Sequence, residues 1–447
     1  MSSARFALID CDHFFASCER VFRPDLARRP VAVLSNQDGC VIARSPEVKA
    51  LGVKMGEPLF QCEGRLRAAG ASVFSANFQL YADLSARIME VLGDFGSRLQ
   101  VYSIDEAFIE LKGLSPSARL CLAAELRDAV WREVGVPVSI GLGENMTLAK
   151  LASRFAKRSA TRVWQLEGAE SRRAALAQSA LDEVWGIGPR WARALTRQGL
   201  DNALALTEAS SLQLSALNRV GRQTVDELKG ERRFMLETAP PQRKSARVSR
   251  SFAEQVFDEV ALCEAMSHFA SKLGARLRRQ GLTSASLVIW LEAAQPGARH
   301  ASARPQRAHF KAERALPQPC NDSSTLIQVS LEATRQLARS WALKRRQGQP
   351  LGGWRKGGIL ALDLRAEEER ALDFYAPNPA RAQLSALEDQ LNQRFGRQTA
   401  QVGGSPKAQR ARPQGDWRQR ASWRSPRYTS SWAELLTINV DEVYKSP

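Results

Sequence analysis

Val101-Tyr102-Ser103-Ile104-Asp105-Glu106-Ala107-Phe108-Ile109 sets two adjacent carboxylates between two short apolar runs. The runs 99–103 and 107–111 are rich in the β-branched and aromatic residues that favour strands, and their alternation predicts a hairpin with one buried face. Asp105 and Glu106 then stand at its tip. Read alone, the pair also fits a solvated acidic turn, since acids are common in turns. What decides between the two is whether other carboxylates converge on the same point. Phe6-Ala7-Leu8-Ile9 is a short apolar run that ends in Asp10-Cys11-Asp12. Either acid also fits a helix N-cap, a role worth about 1 kcal/mol.

Working outward, residues 30–34 read as a second strand. Ser45, Pro46 and Gly52 mark the N-cap, first turn and stop of a short helix, whose free N–H groups beside Arg44 and Lys49 suit an anion. Leu80, Leu84, Ile88, Met89 and Leu92 follow helical spacing over 78–92 and lead into the acidic hairpin. A helix over 117–133, a strand over 136–142 and a helix over 147–157 follow. Lys150 and Lys157 lie seven residues apart on that last helix and so share a face, as a phosphate-facing edge or a solvated basic stripe. Residues 1–165 thus alternate strands and helices.

Past Ser179 the character changes to short helices. Residues 181–195 have the shape of a helix, a Gly186-Ile187-Gly188 turn and a second helix flanked by Arg190 and Arg193, a helix-hairpin-helix. Glycines let backbone N–H groups approach a phosphate, and the following helix N-terminus adds partial positive charge, so DNA is gripped without base reading. A Pro-rich basic stretch over 239–247 reads as a linker. Beyond it, strands over 248–252, 286–291 and 358–364, helices over 262–279 and 331–341 and a loop over 293–319 make a small α+β domain. Between Ser405 and Arg427 seven Lys or Arg face one Asp, with Trp417 and Trp423 interleaved. That segment is expected to be unfolded alone and to order on an acidic partner, or to serve only as a solubilising tail.

Composition narrows the function classes. The chain has 447 residues, enough for about three or four domains, and a net charge of +17 from 64 Lys and Arg against 47 Asp and Glu. Such a surface attracts polyanions, nucleic acid above all. No apolar run approaches about 18 residues and MSSARFALID carries no signal-peptide pattern, so a soluble intracellular protein is expected, away from membranes. The seven cysteines form no CxxC pair, which indicates neither a zinc site nor a disulfide framework. Three acids clustered in so basic a protein repel one another unless cations sit among them. Nucleotide polymerisation requires such a cluster, because two Mg²⁺ ions about 3.5–4 Å apart activate the primer hydroxyl and neutralise the triphosphate.

At this point the sequence resembles the Y-family translesion DNA polymerases, most closely the UmuC type. The matching stretches are FALIDCDHFFASCERVFRPDL, PVAVLSNQDGCVIAR, KALGVKMG, YADLSARIM, VYSIDEAF, TLAKLASRFAK, DEVWGIG, VSRSF and the terminal SPRYT. They occur in the family's order and cover most of residues 6–256. The resemblance implies an α+β multidomain right hand: a ferredoxin-like palm (1–12 and 76–166), small fingers (13–75), a helical thumb with the helix-hairpin-helix (167–238), the linker, an α+β little finger (248–365) and a basic tail for partners (366–447). Carried over by position, Asp10, Asp105 and Glu106 are the Mg²⁺ ligands, assisted by the backbone carbonyl of Cys11. The three carboxylates are expected to converge on one divalent-ion site. Phe15 becomes the steric gate against a 2′-hydroxyl, and Lys49 and Lys157 hold the triphosphate. Gly186, Gly188 and Arg190 would grip DNA. Pro46 stands where many members carry tyrosine, and Asp12 matches no functional position.

The implied activity is error-prone extension of a primer by dNTPs past damaged template bases, within the SOS response. The implied partners are primer-template DNA, a processed UmuD-type dimer, RecA and the sliding clamp. The clamp counterpart is Ala371-Leu372-Asp373-Phe374-Tyr375, without the usual leading glutamine. Two rivals remain: a noncatalytic DNA-binding scaffold of a mutagenesis complex, and a nucleotidyl cyclase with similar metal chemistry.

Overall fold

The computed structural model describes residues 6–96, 98–237, 243–295, 307–369, 379–396, 399–402, 417 and 421–435. Two compact units form, one of Met1–Pro240 with Ala421–Pro447 and one of Pro241–Arg420. The strands of the first unit are β1 (Phe6–Cys11), β2 (Val31–Leu34), β3 (Val41–Arg44), β4 (Ser72–Ser75), β5 (Leu99–Val101), β6 (Glu106–Glu110), β7 (Val138–Gly143) and β8 (Val163–Gln165). They make a five-stranded sheet in the order β5-β6-β1-β7-β8 and a three-stranded sheet in the order β3-β2-β4.

β1 is central and runs antiparallel to both neighbours. It is buried along nearly its whole length, which explains an apolar run without alternation. The helices Phe78–Asp94 and Pro116–Val134 pack on the core that Ile9, Ile109 and Ile140 share. The helix Met146–Ala156 covers β7 so closely that only glycine fits beneath it. A Cβ at Gly141 would lie 2.1 Å from the Ser153 nitrogen, and one at Gly143 2.3 Å from the Ala149 nitrogen.

The second unit holds β9 (Ala246–Val256), β10 (Leu282–Ala294), β11 (Arg307–Cys320) and β12 (Trp354–Ala366) in an antiparallel sheet ordered β11-β10-β12-β9. The helices Glu259–Arg279 and Ser323–Arg346 pack on it around Phe269, Leu273 and Trp354. The mixed α+β architecture is the expected one, but details differ. The loop expected over 293–319 contains β11. Its Phe310, Ala312 and Leu316 face the core while Lys311, Glu313 and Ala315 face outward, and the charges and prolines masked that alternation. The strand after the linker starts at Ala246, inside the stretch expected to be unstructured.

The C-terminal part also carries more order than its composition suggested. The helix Pro379–Phe395 joins the second unit through Asp389, which accepts two hydrogen bonds from Arg278 at 2.7 and 2.9 Å. Trp417 packs against His268 and Phe269. Residues 421–435 return to the first unit, where the Ser75 and Trp423 backbones and the Ser75 hydroxyl are bonded and Tyr428 is buried against Phe22 at 4.7 Å. Burying the Tyr428 ring and half-burying that of Trp417 supplies a driving force that a count of charges overlooks. The stretch 371–375 lies outside the described residues.

Candidate active site

The pairing of β1 with β6 brings the acids together. Asp10 is the register partner of Glu106, and the Cys11 N–H donates to the Asp105 carbonyl at 2.9 Å. The hairpin tip closes because the N–H groups of Tyr102 and Ser103 both donate to the Glu106 carbonyl at 3.0 Å. The Ser103 hydroxyl donates to Asp105 Oδ1 at 2.5 Å and orients that carboxylate. Asp10 on β1, Glu106 at the start of β6 and Asp105 in the turn before it therefore share one end of the sheet.

Two lysines answer them. Lys157 Nζ lies 2.7 Å from Asp10 Oδ2, and Lys150 Nζ lies 2.6 Å from Glu106 Oε1, over the Tyr102 ring at 4.9 Å. The face shared by these residues is thus turned to the acids. Burial pushes the Asp10 carboxyl up to about 7 against the pull of Lys157, and the charges of Glu106 and Asp105 push the same way. As the side chains stand, no three His, Cys, Asp or Glu among the described residues are gathered as a metal-holding group. The acids share an end of the sheet, but Asp10 and Glu106 are directed at ammonium groups and Asp105 at a hydroxyl. Asp12 belongs elsewhere: it is buried, accepts from the Ser139 hydroxyl at 2.9 and 3.0 Å, and lies 3.5 Å from Arg162. It ties the end of β1 to β7.

Phe15 sits on the helix Phe14–Val21, two residues past the N-cap His13, which adopts a left-handed conformation at φ 50°. Its ring is stacked on Tyr81 at 4.4 Å and 14°, with Phe78 edge-on at 5.8 Å. Lys49 is exposed on the helix Pro46–Ala50, and its charge, like that of Lys157, acts on His13. Ser45 is the N-cap residue of that helix and Pro46 opens it, as expected, but the Ser45 hydroxyl makes no cap bond and accepts from the Val31 N–H at 3.0 Å. Arg44 Nη1 donates to the Val53 carbonyl.

Gly186 has φ 81°, a conformation that favours glycine, and Gly188 is the N-cap of the helix Pro189–Thr196. Arg190 is exposed in its first turn. The element before the turn is shorter than expected, a single 3₁₀ turn over Leu181–Glu183. Buried Val184 and Ile187 hold it in place. No local pattern singled out Trp185, whose indole N–H donates to the Tyr102 hydroxyl at 3.0 Å and joins this turn to the acidic hairpin.

Comparisons with known proteins agree with this geometry. Residues 9–154 match the impB/mucB/samB family, residues 243–374 match the C-terminal domain of that family, and residues 382–438 match a domain of unknown function. A solved Y-family DNA polymerase chimera superposes with a TM-score of 0.64 at 17% identity, over 80% of this chain and 98% of its own. The fold is therefore that of the Y-family DNA polymerases. The protein UmuC of Salmonella typhimurium is 34% identical over 97% of this chain and 100% of its own length. The DNA polymerase IV of Picrophilus torridus is 34% identical over 34% of this chain and 44% of its own. The chain belongs to the impB/mucB/samB family of Y-family DNA polymerases, in company with UmuC. No helix among the described residues is long and apolar enough to cross a membrane.

Proposed function

We propose that this polymerase performs error-prone translesion synthesis in the bacterial cytoplasm, adding dNTPs to a primer 3′-hydroxyl past damaged template bases, as part of an SOS response. The observation that carries the reading is the register pairing of Asp10 with Glu106, with Asp105 bonded beside them. Asp10, Asp105, Glu106 and the Cys11 carbonyl would hold two Mg²⁺ ions, which supply the positive charge that acidifies the 3′-hydroxyl and balances the triphosphate. The donor chemistry fits: hard carboxylate oxygens suit Mg²⁺, and two ammonium groups already answer their charge.

The chain's own residues do the rest. Lys157 and Lys49 bind the triphosphate oxygens. Phe15 fills the space that a 2′-hydroxyl would need. The N–H groups at Gly186 and Gly188, with Arg190, bind a duplex phosphate. On this reading the β1 and β5–β8 sheet with its helices is the palm, 13–75 the fingers, 167–238 the thumb and 248–365 the little finger. Family likeness supports a processed UmuD-type dimer, RecA and, through 371–375, the sliding clamp as partners.

Primer extension on undamaged and abasic templates, with and without those partners, tests the reading. Asp10→Ala and Asp105→Ala are expected to abolish extension. Near-normal extension by either variant would refute the assignment, and DNA binding without extension by the unaltered chain would favour the noncatalytic scaffold. Phe15→Ala is expected to admit ribonucleotides, and unchanged sugar discrimination would remove the gate role.

A further inference from the structure

Behind Phe15 lies a buried polar cluster that polymerisation does not explain. Glu19 is fully buried on the same helix as Phe15. Its Oε1 accepts from the Tyr81 hydroxyl at 2.6 Å and from the Ser425 hydroxyl at 3.2 Å. Its Oε2 is buried with no hydrogen-bond partner among the described residues. The Ser425 hydroxyl accepts in turn from Asn77 Nδ2 at 3.0 Å, and Asn77 caps the helix that carries Tyr81. Tyr81 is the ring on which Phe15 is stacked at 4.4 Å. Tyr428, three residues on, is stacked on Phe22 of the segment that follows the Phe15 helix, at 4.7 Å and 8°.

We propose that the C-terminal segment from Ser425 to Tyr428 is a positioning element for the nucleotide-sugar gate, acting through Glu19 and Tyr81 on Phe15. The segment seals the rear of the gate, where a missing donor would leave Glu19 Oε1 with one hydrogen bond in place of two and let the Tyr81 ring shift. A ring stacked in parallel follows its partner's displacement, so the Phe15 edge moves with it. This assigns a role to part of the region matched as a domain of unknown function. It rests on the reading of Phe15 as the gate.

The test uses the full-length chain and the ratio of kcat/KM for ribonucleotide over deoxyribonucleotide insertion. Ser425→Ala is expected to raise that ratio about three- to tenfold, the size of one lost hydrogen bond. Tyr81→Phe, which keeps the ring and loses the other donor, moves it the same way. In a Phe15→Ala background Ser425→Ala adds nothing, since the ring it positions is gone. If Phe15→Ala raises the ratio while Ser425→Ala and Tyr81→Phe leave it unchanged, or slow both sugars equally, the positioning role is overturned and the gate stands. If Phe15→Ala itself changes nothing, the gate reading falls and the proposal falls with it.

Discussion

Gly141→Ala probes the clamp between β7 and the helix Met146–Ala156 that delivers both lysines. The added methyl would lie 2.1 Å from the Ser153 nitrogen and 2.3 Å from the Ala149 oxygen, both backbone atoms that cannot swing aside. An ordinary contact begins at 3.4 Å, so the helix must recede by about 1 Å. Overpacking of this kind costs about 3 kcal/mol, which lowers the melting temperature of a unit of this size by roughly 6–12 °C. The same displacement stretches the 2.6 Å Lys150–Glu106 and 2.7 Å Lys157–Asp10 contacts. A misplacement of about 1 Å near reacting groups costs about 100-fold in rate. Gly64→Ala is the control: Gly64 lies within the helix Leu59–Ala68 with nothing within 4 Å of its Cβ, so it is expected to gain about 0.5–1 kcal/mol. Melting curves and single-nucleotide insertion rates read both variants. A Gly141→Ala protein that melts within a degree or two of wild type and extends primers at a near-normal rate would refute the clamp.

Glu227→Ala is expected to cost about 3 kcal/mol, because this fully buried carboxylate accepts from the N–H groups of Thr147, Arg233 and Phe234 at 2.9–3.0 Å, and the buried Thr147 donor and the two partly buried ones would lose their partner. Thermal melting measures it, and faster amide exchange at residues 233 and 234 should accompany it; an unchanged melt with protected amides would contradict this role. Burial pushes the Glu19 carboxyl up to about 7 from 4.5, so as pH rises the unfolded chain releases this proton first. The group's stability contribution is therefore full below about pH 4.5, falls by about 3 kcal/mol between 4.5 and 7, and is flat above. Glu19→Gln removes that slope, so its melting temperature relative to wild type should climb from pH 5 to pH 8; a constant difference would show that Glu19 does not keep its proton in the fold.

The elements that sequence periodicity located best are those whose neighbours along the chain dictate them. The helix 78–92 and the hairpin around Asp105 formed within a few residues of expectation, because their apolar spacing admits one buried face. β11 escaped because its exposed face is charged and its end rich in proline, which composition reads as loop. The helix Pro379–Phe395 escaped for a related reason: polar residues dominate it, and it is held by the bidentate Arg278–Asp389 pair.

The chain's order of residues alone determined that acids end β1 and tip a hairpin, that Lys150 and Lys157 share a face, that Phe15 follows Asp10 by five positions, and which family the chain resembles. Only the tertiary structure decided which lysine answers which acid, that Asp12 ties β1 to β7, and that Ser425 meets Glu19 across 406 positions. The division has a physical cause. Local patterns encode which face of an element is apolar, because burial favours one face whatever covers it. The partner of a buried polar atom depends on which distant segment the topology brings there, and a glutamate written in a helix gives no sign that the fold will bury it completely.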